Sequence, residues 1–126
     1  MFKNCIGLKN IQLPDSLEYI GKWCFCGSAL TSISLPPLLR IIEGRAFREC
    51  KNLKTVEFPD GLEKIGLFAF VESGVEQVVL PVSLRTIGQG AFSCCKGLKT
   101  VKFNEGLEVL GTDEYDDDGK MYYGVF

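Results

Sequence analysis

The sequence lacks histidine altogether, although it is 126 residues long. This absence removes the usual general base of enzymes and the commonest metal ligand of proteins. Long apolar runs are missing too, since none approaches the ~20 residues that a helix needs to cross a bilayer. The first residues, Met1 to Cys5, lack the basic and then apolar layout of a signal peptide. We therefore expect no membrane insertion and no secretion signal within this chain.

An excess of positive charge is also missing, because 16 acidic and 14 basic residues give a formal net charge of -2. Five of the acids lie within residues 113–118, and without them and Lys120 the chain has 11 acids and 13 bases. Nucleic-acid binding requires a basic stripe, and none stands out. The hydrophobic share of 46% is ordinary for a folded protein, so we expect one domain over residues 1–126.

A repeat of 22 or 23 residues dominates what is present. The segment Leu8–Pro14 returns four times, and each copy continues with a Leu, an Ile, usually a Gly, and then a small residue before a Phe. A longer period of 45 residues lies over the first, because Cys5, Cys50 and Cys95 fall at the same place in alternate copies. The later copies of the first segment are Leu30–Pro36, Leu53–Pro59, Val75–Pro81 and Leu98–Asn104.

The spacing within each copy predicts a turn of a solenoid. Apolar residues alternate in Leu-x-x-Ile-x-Leu, as a half-buried strand requires, and the Pro that follows ends the strand because it has no N–H to donate. The later Leu-x-x-Ile-Gly segment returns the chain along the far side. One copy cannot bury its own apolar face, but stacked copies can. We therefore expect equivalent side chains to form lines, one of them through Leu13, Leu35, Phe58, Leu80 and Phe103.

The full pattern is Leu-x-x-Ile-x-Leu-Pro-x-x-Leu-x-x-Ile-Gly-x-x-Ala-Phe-x-x-Cys, and over residues 2–111 it resembles the BspA-like leucine-rich repeat family. The resemblance implies a β-rich solenoid of the α/β type, a right-handed horseshoe of about five units. A parallel sheet would form one face, and short strands with 3₁₀ or helical turns would form the other. The resemblance also implies a bacterial protein, on the cell surface or secreted, that adheres to other proteins.

Both ends of the chain fall inside a copy of the repeat. Residues 2–5 align with residues 47–50, so the chain opens partway through a unit, and residues 112–123 interrupt the last unit as an acidic insertion. Solenoids need polar caps at their ends to stay soluble, and no cap is visible. We therefore expect a fragment of a longer array. The alternative is that the acidic insertion itself shields the last unit.

The outward side chains of the predicted strands form the main candidate site. One interpretation is a shallow platform of mixed charge for a protein partner, as repeat proteins often provide, and the other is a solvated face with no role. Aromatic anchors are missing from these columns, so we expect modest affinity for a partner, and a monomeric chain. The residues are Lys9, Gln12, Thr31, Ser34, Lys54, Glu57, Glu76, Val79, Lys99 and Lys102.

A secondary patch is predicted on the opposite face, where Trp23 and Phe68 share one position of the repeat and Tyr19 lies close in the pattern. Arg45 and Gly90 occupy the position of Trp23 in other copies. An exposed apolar patch would mark a contact surface. The interpretation that we favour is that the rings fill gaps between successive turns.

The acidic insertion is a weak match to a calcium loop. Glu114, Asp116, Asp118 and Gly119 fit the first half of such a loop, but Val125 stands where a bidentate Glu is needed. We therefore expect a solvated loop, no metal and no cofactor. Three tyrosines beside it offer an alternative contact with a partner: Tyr115, Tyr122 and Tyr123.

The six cysteines are expected to be reduced. Cys5, Cys50 and Cys95 are two units apart, too far for disulfides, and with Cys24 they fit small buried groups. Two others, Cys26 and Cys94, are less constrained by the pattern, so we expect them at the surface. No Cys-x₂-Cys spacing indicates a zinc site.

The sequence thus predicts a non-catalytic module for protein–protein interaction, because no nucleophile stands beside a base. The alternative is a structural spacer within a larger repeat protein. An enzyme would have to depend on the acidic insertion alone.

Overall fold

The computed structural model describes residues 10–102 and 109–112, and all structural statements below concern these residues. They contain short strands joined by hydrogen-bonded turns, and no helix. Consequently they include no helix of the length and apolarity that a membrane span requires. The strands are β1 (Tyr19–Ile20), β2 (Ser32–Ser34), β3 (Ile41–Ile42), β4 (Thr55–Glu57), β5 (Lys64–Ile65), β6 (Gln77–Val79), β7 (Thr86–Gly88), β8 (Thr100–Lys102) and β9 (Val109–Thr112).

The strands form two parallel series that share one stacking direction. The odd-numbered strands make a single five-stranded sheet in the order β1-β3-β5-β7-β9. The even-numbered strands pair as β2 with β4 and β6 with β8, and the Glu76 N–H, which donates to Lys54 O at 3.1 Å, links the two pairs. The protein is therefore a parallel β-solenoid, with one strand of each series in every turn.

The continuous sheet lies on the side where the sequence indicated only short strands. The prediction of a parallel sheet from the Leu-x-x-Ile-x-Leu segments holds for two pairs of strands, whereas the Leu-x-x-Ile-Gly segments supply the longer sheet. Equivalent isoleucines pair directly there, Ile20 with Ile42, Ile42 with Ile65 and Ile65 with Ile87. Four units are seen through β2, β4, β6 and β8, so the expected count of five units is not confirmed within the described residues.

The prolines do more than end the even-numbered strands. In each unit the proline carbonyl accepts a hydrogen bond from the N–H of the leucine three residues later, for example Pro59 O from Leu62 N at 3.1 Å. This bond closes a turn of four residues. It explains the Pro-x-x-Leu spacing, because the turn delivers each leucine to the core, where Leu39, Leu62 and Leu84 are fully buried.

The third corner of each unit lies between an odd-numbered strand and the next even-numbered strand. It contains hydrogen-bonded turns instead of the expected helical or 3₁₀ turns. These turns span residues 22–27, 44–49, 67–72 and 89–94. Two positions in each turn have positive φ, at 54–64° for the first and 58–71° for the second, and L-residues in this left-handed region cannot continue a right-handed helix. The first set is Trp23, Arg45, Phe68 and Gly90, and the second is Gly27, Glu49, Glu72 and Cys94.

Backbone hydrogen bonds at this corner run between units. Phe25 N donates to Ala46 O at 2.8 Å, and both Phe47 N to Ala69 O and Phe70 N to Ala91 O are 2.7 Å. The polar groups of the turns are therefore satisfied along the stacking axis, as in the strands. Each unit needs a neighbour at all three sides of its cross-section, and that requirement is the physical reason why the repeat must be regular.

A stack of phenylalanines runs through the core. Ring centroids are 5.2 Å apart from Phe25 to Phe47, 4.9 Å from Phe47 to Phe70, and 5.3 Å from Phe70 to Phe92, with interplanar angles of 18° or less. These spacings are close to the ~4.8 Å between neighbouring strands, so the backbone ladder sets the separation of the rings. The predicted line of apolar residues is also present: Leu35 and Leu80 are buried, and Leu13 and Phe58 pack against the core, while Phe103 lies outside the described residues.

Buried cysteines alternate with buried serines in a second column. The Cys50 thiol donates to Phe25 O at 3.1 Å and lies 3.4 Å from Ser28 Oγ, and Cys95 repeats these contacts with Phe70 O and Ser73 Oγ. Burial raises the pKa of the Cys50 and Cys95 thiols, and the hydrogen bonds from the serines oppose this rise in part. The 45-residue period of the sequence therefore reflects a Cys–Ser contact made in every second interface between units.

The remaining cysteines divide differently from the sequence-based expectation. Cys94 is exposed as expected, but Cys26 is only 5% exposed, so the prediction for Cys26 was wrong. The equivalent residues of the other described turns, Arg48, Val71 and Ser93, are half-buried, so the burial of Cys26 belongs to this turn and not to the repeat. Cys24 is half-buried, and Cys5 lies outside the described residues. All five described cysteines are free thiols.

Replacing Phe70 by alanine should lower the free energy of unfolding by about 3–5 kcal/mol, because the ring is fully buried and its loss leaves a cavity. Phe70 stacks on both Phe47 and Phe92. The matched control is Val82→Ala, at a side chain that is 76% exposed, where the change should stay within about 0.5 kcal/mol. Urea unfolding measures both, and equal effects of the two substitutions would contradict the stacked core.

The two buried thiols should make the unfolding free energy depend on pH. A thiol whose pKa is raised by folding stabilises the native state fully below its ordinary pKa, and this contribution is lost as the pH rises through the folded-state value. The stability advantage of the native protein over Cys50→Ser/Cys95→Ser should therefore shrink between about pH 7 and about pH 10. Cys94→Ser, which leaves both buried thiols in place, is the control and should keep the pH dependence of the native protein. A constant difference for the double variant would refute the assignment.

Candidate functional site

The mixed-charge face consists of the outward side chains of β2, β4, β6 and β8 and of the residues just before them. Each of the first three strands alternates exposed, buried and exposed side chains, with Ile33, Val56 and Val78 pointing into the core. The sequence-predicted site residues therefore lie together on one surface. Gln12, Thr31, Ser34, Lys54, Glu57, Val79, Lys99 and Lys102 are exposed, Glu76 is half-buried, and Lys9 lies outside the described residues.

The backbone fixes the spacing of charges on this face. Lys54 N donates to Thr31 O at 3.3 Å, and Lys99 N donates to Glu76 O at 2.8 Å, so these residues sit at neighbouring positions of the stack. Along this column the signs read positive at Lys54, negative at Glu76 and positive at Lys99. No ion pair between described residues ties up any of these three side chains. Lys54 and Lys99 are exposed and Glu76 is half-buried, so a partner can reach all three from outside.

The far edge of the face differs from the column of Lys54, Glu76 and Lys99 in having an exposed apolar residue. Ser34 pairs with Glu57 and Val79 pairs with Lys102, so the last column carries both charges and one exposed valine, Val79, at 57% exposure. Two shallow depressions open along this edge. One of about 490 Å³ is bounded by Gln12, Ser34, Pro37 and their neighbours, and one of about 340 Å³ is bounded by Ser34, Glu57, Asp60 and their neighbours.

The residues of the secondary patch are placed around a buried cation. The guanidinium carbon of Arg45 lies 5.1 Å from the Trp23 ring and 5.2 Å from the Phe68 ring, and Arg45 is only 9% exposed. Both rings are half-buried against it, whereas Tyr19 stands apart and is exposed. Desolvation, followed by the charge of Glu43 and a hydrogen bond with it, raises the pKa of Tyr19. A contact with a partner at this patch remains a prediction.

This stack of two rings and an arginine occupies a strained backbone position. Trp23, Arg45 and Phe68 all have φ between 54° and 63°, where an L-residue costs about 1–2 kcal/mol. A cation held over aromatic rings gives back about 0.5–2 kcal/mol. In the fourth unit Gly90 takes this position, and the Phe68 ring lies directly over it, where a Cβ would stand.

Among residues 10–102 and 109–112, no group of three or more histidine, cysteine, aspartate or glutamate residues could hold an ion. The weak calcium-loop match at Glu114, Asp116, Asp118, Gly119 and Val125 lies outside the described part of the chain, as do Tyr115, Tyr122 and Tyr123.

Lys51 and Lys96 are not among the site residues predicted from the sequence. With Lys54 they line a third depression, of about 540 Å³. It lies where the turns of the third corner lead into the even-numbered strands. The sequence contains one indication of this depression, because copies of 22 and 23 residues alternate along the chain. The alternation indicates two kinds of corner that follow each other.

Comparison with known proteins gives the following similarities. A family model described as BspA type leucine-rich repeat region matches residues 1–120 in six copies. A leucine-rich repeat protein from Bacteroides ovatus is 34% identical with a TM-score of 0.81, and the match covers 93% of this chain and 31% of that one. The family is usually non-catalytic. A search of the curated proteins finds no match.

Two further solved structures are similar. The pneumococcal vaccine antigen PcpA is 30% identical over 75% of this chain and 26% of its own, with a TM-score of 0.64. The leucine-rich repeat protein of T. pallidum is 28% identical over 82% of this chain and 61% of its own, with a TM-score of 0.67. The chain thus spans about a third of the Bacteroides protein and about a quarter of the pneumococcal one.

Gly90→Ala should lower the free energy of unfolding by about 2 kcal/mol or more, because the residue has a φ of 64° and its new Cβ would collide with the Phe68 ring. The matched control is Gly61→Ala, where the nearest atom to a Cβ is Pro37 O at 3.9 Å and φ is not positive. Thermal unfolding measures both. In a Phe68→Ala background the penalty of Gly90→Ala should fall to about 1 kcal/mol, the cost of φ alone. An unchanged penalty would contradict the ring contact.

Proposed function

This chain belongs to the BspA-type leucine-rich repeat family, and from that premise we propose that it is a non-catalytic module that binds a protein partner through its mixed-charge face. The observation that supports this most directly is the column Lys54, Glu76, Lys99. Its charges alternate at fixed separations, and no ion pair between described residues engages them. Repeat proteins of this architecture commonly bind their partners on such an extended surface.

The rigidity of the face favours binding. Its backbone is already fixed by the bonds between units, so a partner would order only side chains, at a cost of about 0.5–1.5 kcal/mol for each long one. Alternating charge gives orientation and selectivity more than raw affinity. Since no aromatic residue of the described columns offers a deep anchor, affinity is modest and gains from several units acting together.

The setting that we propose is the surface of a bacterial cell or its surroundings, with an adhesin-like role. The supporting similarity is to a pneumococcal protein described as a vaccine antigen and to leucine-rich repeat proteins of two other bacteria. Because the chain spans only part of each of these proteins, this role belongs to the proposal for the whole protein.

The second candidate function is a structural spacer. It is favoured by the uninterrupted stack of Phe25, Phe47, Phe70 and Phe92, with rings nearly parallel, which gives a stiff body of fixed length. A spacer needs the core alone, whereas a binding module needs the outward side chains as well. Substitutions confined to the outward side chains therefore separate the two functions.

Exchanging charges on the face should weaken partner binding by about tenfold, equivalent to ~1.4 kcal/mol. The variant Glu57→Lys/Lys102→Glu alters two exposed positions of the last column and leaves the net charge unchanged. A partner captured by chemical crosslinking to the native chain, in extracts of cell-surface and host matrix proteins, is purified and titrated against each variant by interferometry.

The matched control exchanges the partners of an exposed ion pair on the five-stranded sheet, Arg40→Glu/Glu63→Arg. The native pair is 2.9 Å long, and the exchange preserves both the pair and the net charge. Its partner binding should equal that of the native chain. Equal binding by all three proteins would remove the mixed-charge face as the binding surface, and the absence of any crosslinked partner from several such extracts would favour the spacer.

A further inference from the structure

The two lengths of the repeat differ at one corner of the solenoid. Between the Cys–Ser column and the next core residue, a long copy has two residues, as from Cys50 to Leu53, and a short copy has one, as from Ser73 to Val75. Long and short copies alternate. One missing residue in a tight corner draws the chain inward, so the short corner at Gly74 should be recessed between the long corners on its two sides.

The structure shows this recess as the depression of about 540 Å³. Its floor is the short corner at Ser73 and Gly74, and its two walls begin with Lys51 and Lys96. Gly74 is pinned there, because its N–H donates to Cys50 O at 3.1 Å and a Cβ on it would lie only 3.0 Å from the carbonyl carbon of Lys51. The backbone thus closes the bottom of this notch and leaves the opening to its side chains.

Three lysines line the notch against a single acid. Lys51, Lys54 and Lys96 are exposed, and Glu72 is half-buried. No ion pair between described residues involves any of the three ammonium groups. A concave surface with one dominant sign of charge concentrates its field in the recess and attracts ions of the opposite sign. The notch is therefore a place where negative groups are favoured, although the whole chain is weakly acidic.

We propose that this notch binds an acidic segment of the protein partner, with aspartate or glutamate side chains between Lys51 and Lys96. The proposal rests on the binding function argued above and names the chemistry of its partner at one place. Lys54 belongs both to the notch and to the mixed-charge face, so a segment seated in the notch leads directly onto that face.

A peptide fits this surface better than a nucleic acid does. Glu72 lies in the notch itself, and Glu76 follows Lys54 on the adjoining face, so signs alternate along the path that leads out of the recess. A phosphate backbone has one charge at every step and would be repelled at each glutamate. A peptide can place acids against the lysines and bases against the glutamates.

The first test uses a fluorescently labelled peptide of six glutamates, with a peptide of six glutamines as its control, titrated by anisotropy at low salt. The glutamate peptide should bind at least about tenfold more tightly than the glutamine peptide, and Lys51→Glu/Lys96→Glu should lose at least about tenfold, because each reversal replaces an attraction by a repulsion. Lys22→Glu/Lys64→Glu changes the net charge equally on other parts of the chain and should lose much less. Equal losses in both variants, or equal binding of both peptides, would overturn the proposal.

A second measurement locates the peptide. The Cys94 thiol is exposed and lines the notch, whereas Cys24 is half-buried elsewhere. Bound glutamate peptide should slow the alkylation of Cys94 by iodoacetamide, mapped by mass spectrometry, and leave the rate at Cys24 unchanged. An unchanged rate at Cys94 would place the peptide elsewhere. Tighter binding of single-stranded DNA with the same number of charges would replace the peptide assignment by a nucleic-acid one.

The partner from the crosslinking experiment separates the two proposals. If Glu57→Lys/Lys102→Glu weakens partner binding and Lys51→Glu/Lys96→Glu does not, the notch assignment fails and the binding function stands. If both variants bind the partner as the native chain does, the assignment of partner binding to the mixed-charge face fails as well. Circular dichroism and thermal unfolding of every variant test whether loss of the fold causes a loss of binding. We expect each variant to stay folded, because all the substituted lysines lie outside the core.

Discussion

Every turn of this solenoid depends on its neighbours, because its backbone polar groups are satisfied across the gap between turns. The N–H of Phe47 finds its acceptor in the next unit, at Ala69 O, and the strands on both other sides do the same. A buried amide without a partner costs about as much as a lost hydrogen bond. The register between units is consequently fixed along the whole stack, and the Phe stack and the Cys–Ser column follow from it.

This constraint decides which residues are free to vary. Side chains that point inward must match their counterparts in the next unit, as Ile42 and Ile65 do. Side chains that point outward contribute little to the stack, so they can take on other roles. The mixed-charge face occupies such freed positions, whereas Arg45 is buried between the rings of Trp23 and Phe68 at a strained φ.

Much of the architecture could be predicted from the sequence because it is local or repeated. The Leu-x-x-Ile-x-Leu pattern located β2, β4, β6 and β8, and the prolines located the turns after them. The outward columns also followed from the two-residue period of a strand, so the structure places the described residues of the mixed-charge face on one surface. Cys26 was placed wrongly, because the repeat does not fix the burial of its position: among the equivalent residues Cys26, Arg48, Val71 and Ser93, Cys26 alone is buried.

The sequence by itself determined the repeat, its register and the order of its strands, since one copy cannot bury its apolar residues and copies stacked in register can. Only the tertiary structure decided which side forms the continuous sheet and where the surface is recessed. Those features depend on how successive turns lie against one another: the five odd-numbered strands pair without interruption, and a corner shortened by one residue opens a notch between Lys51 and Lys96 only when the neighbouring corners stand beside it. The sequence pattern gives the separation of residues along the chain, whereas the notch arises because adjacent corners extend to different distances from the core.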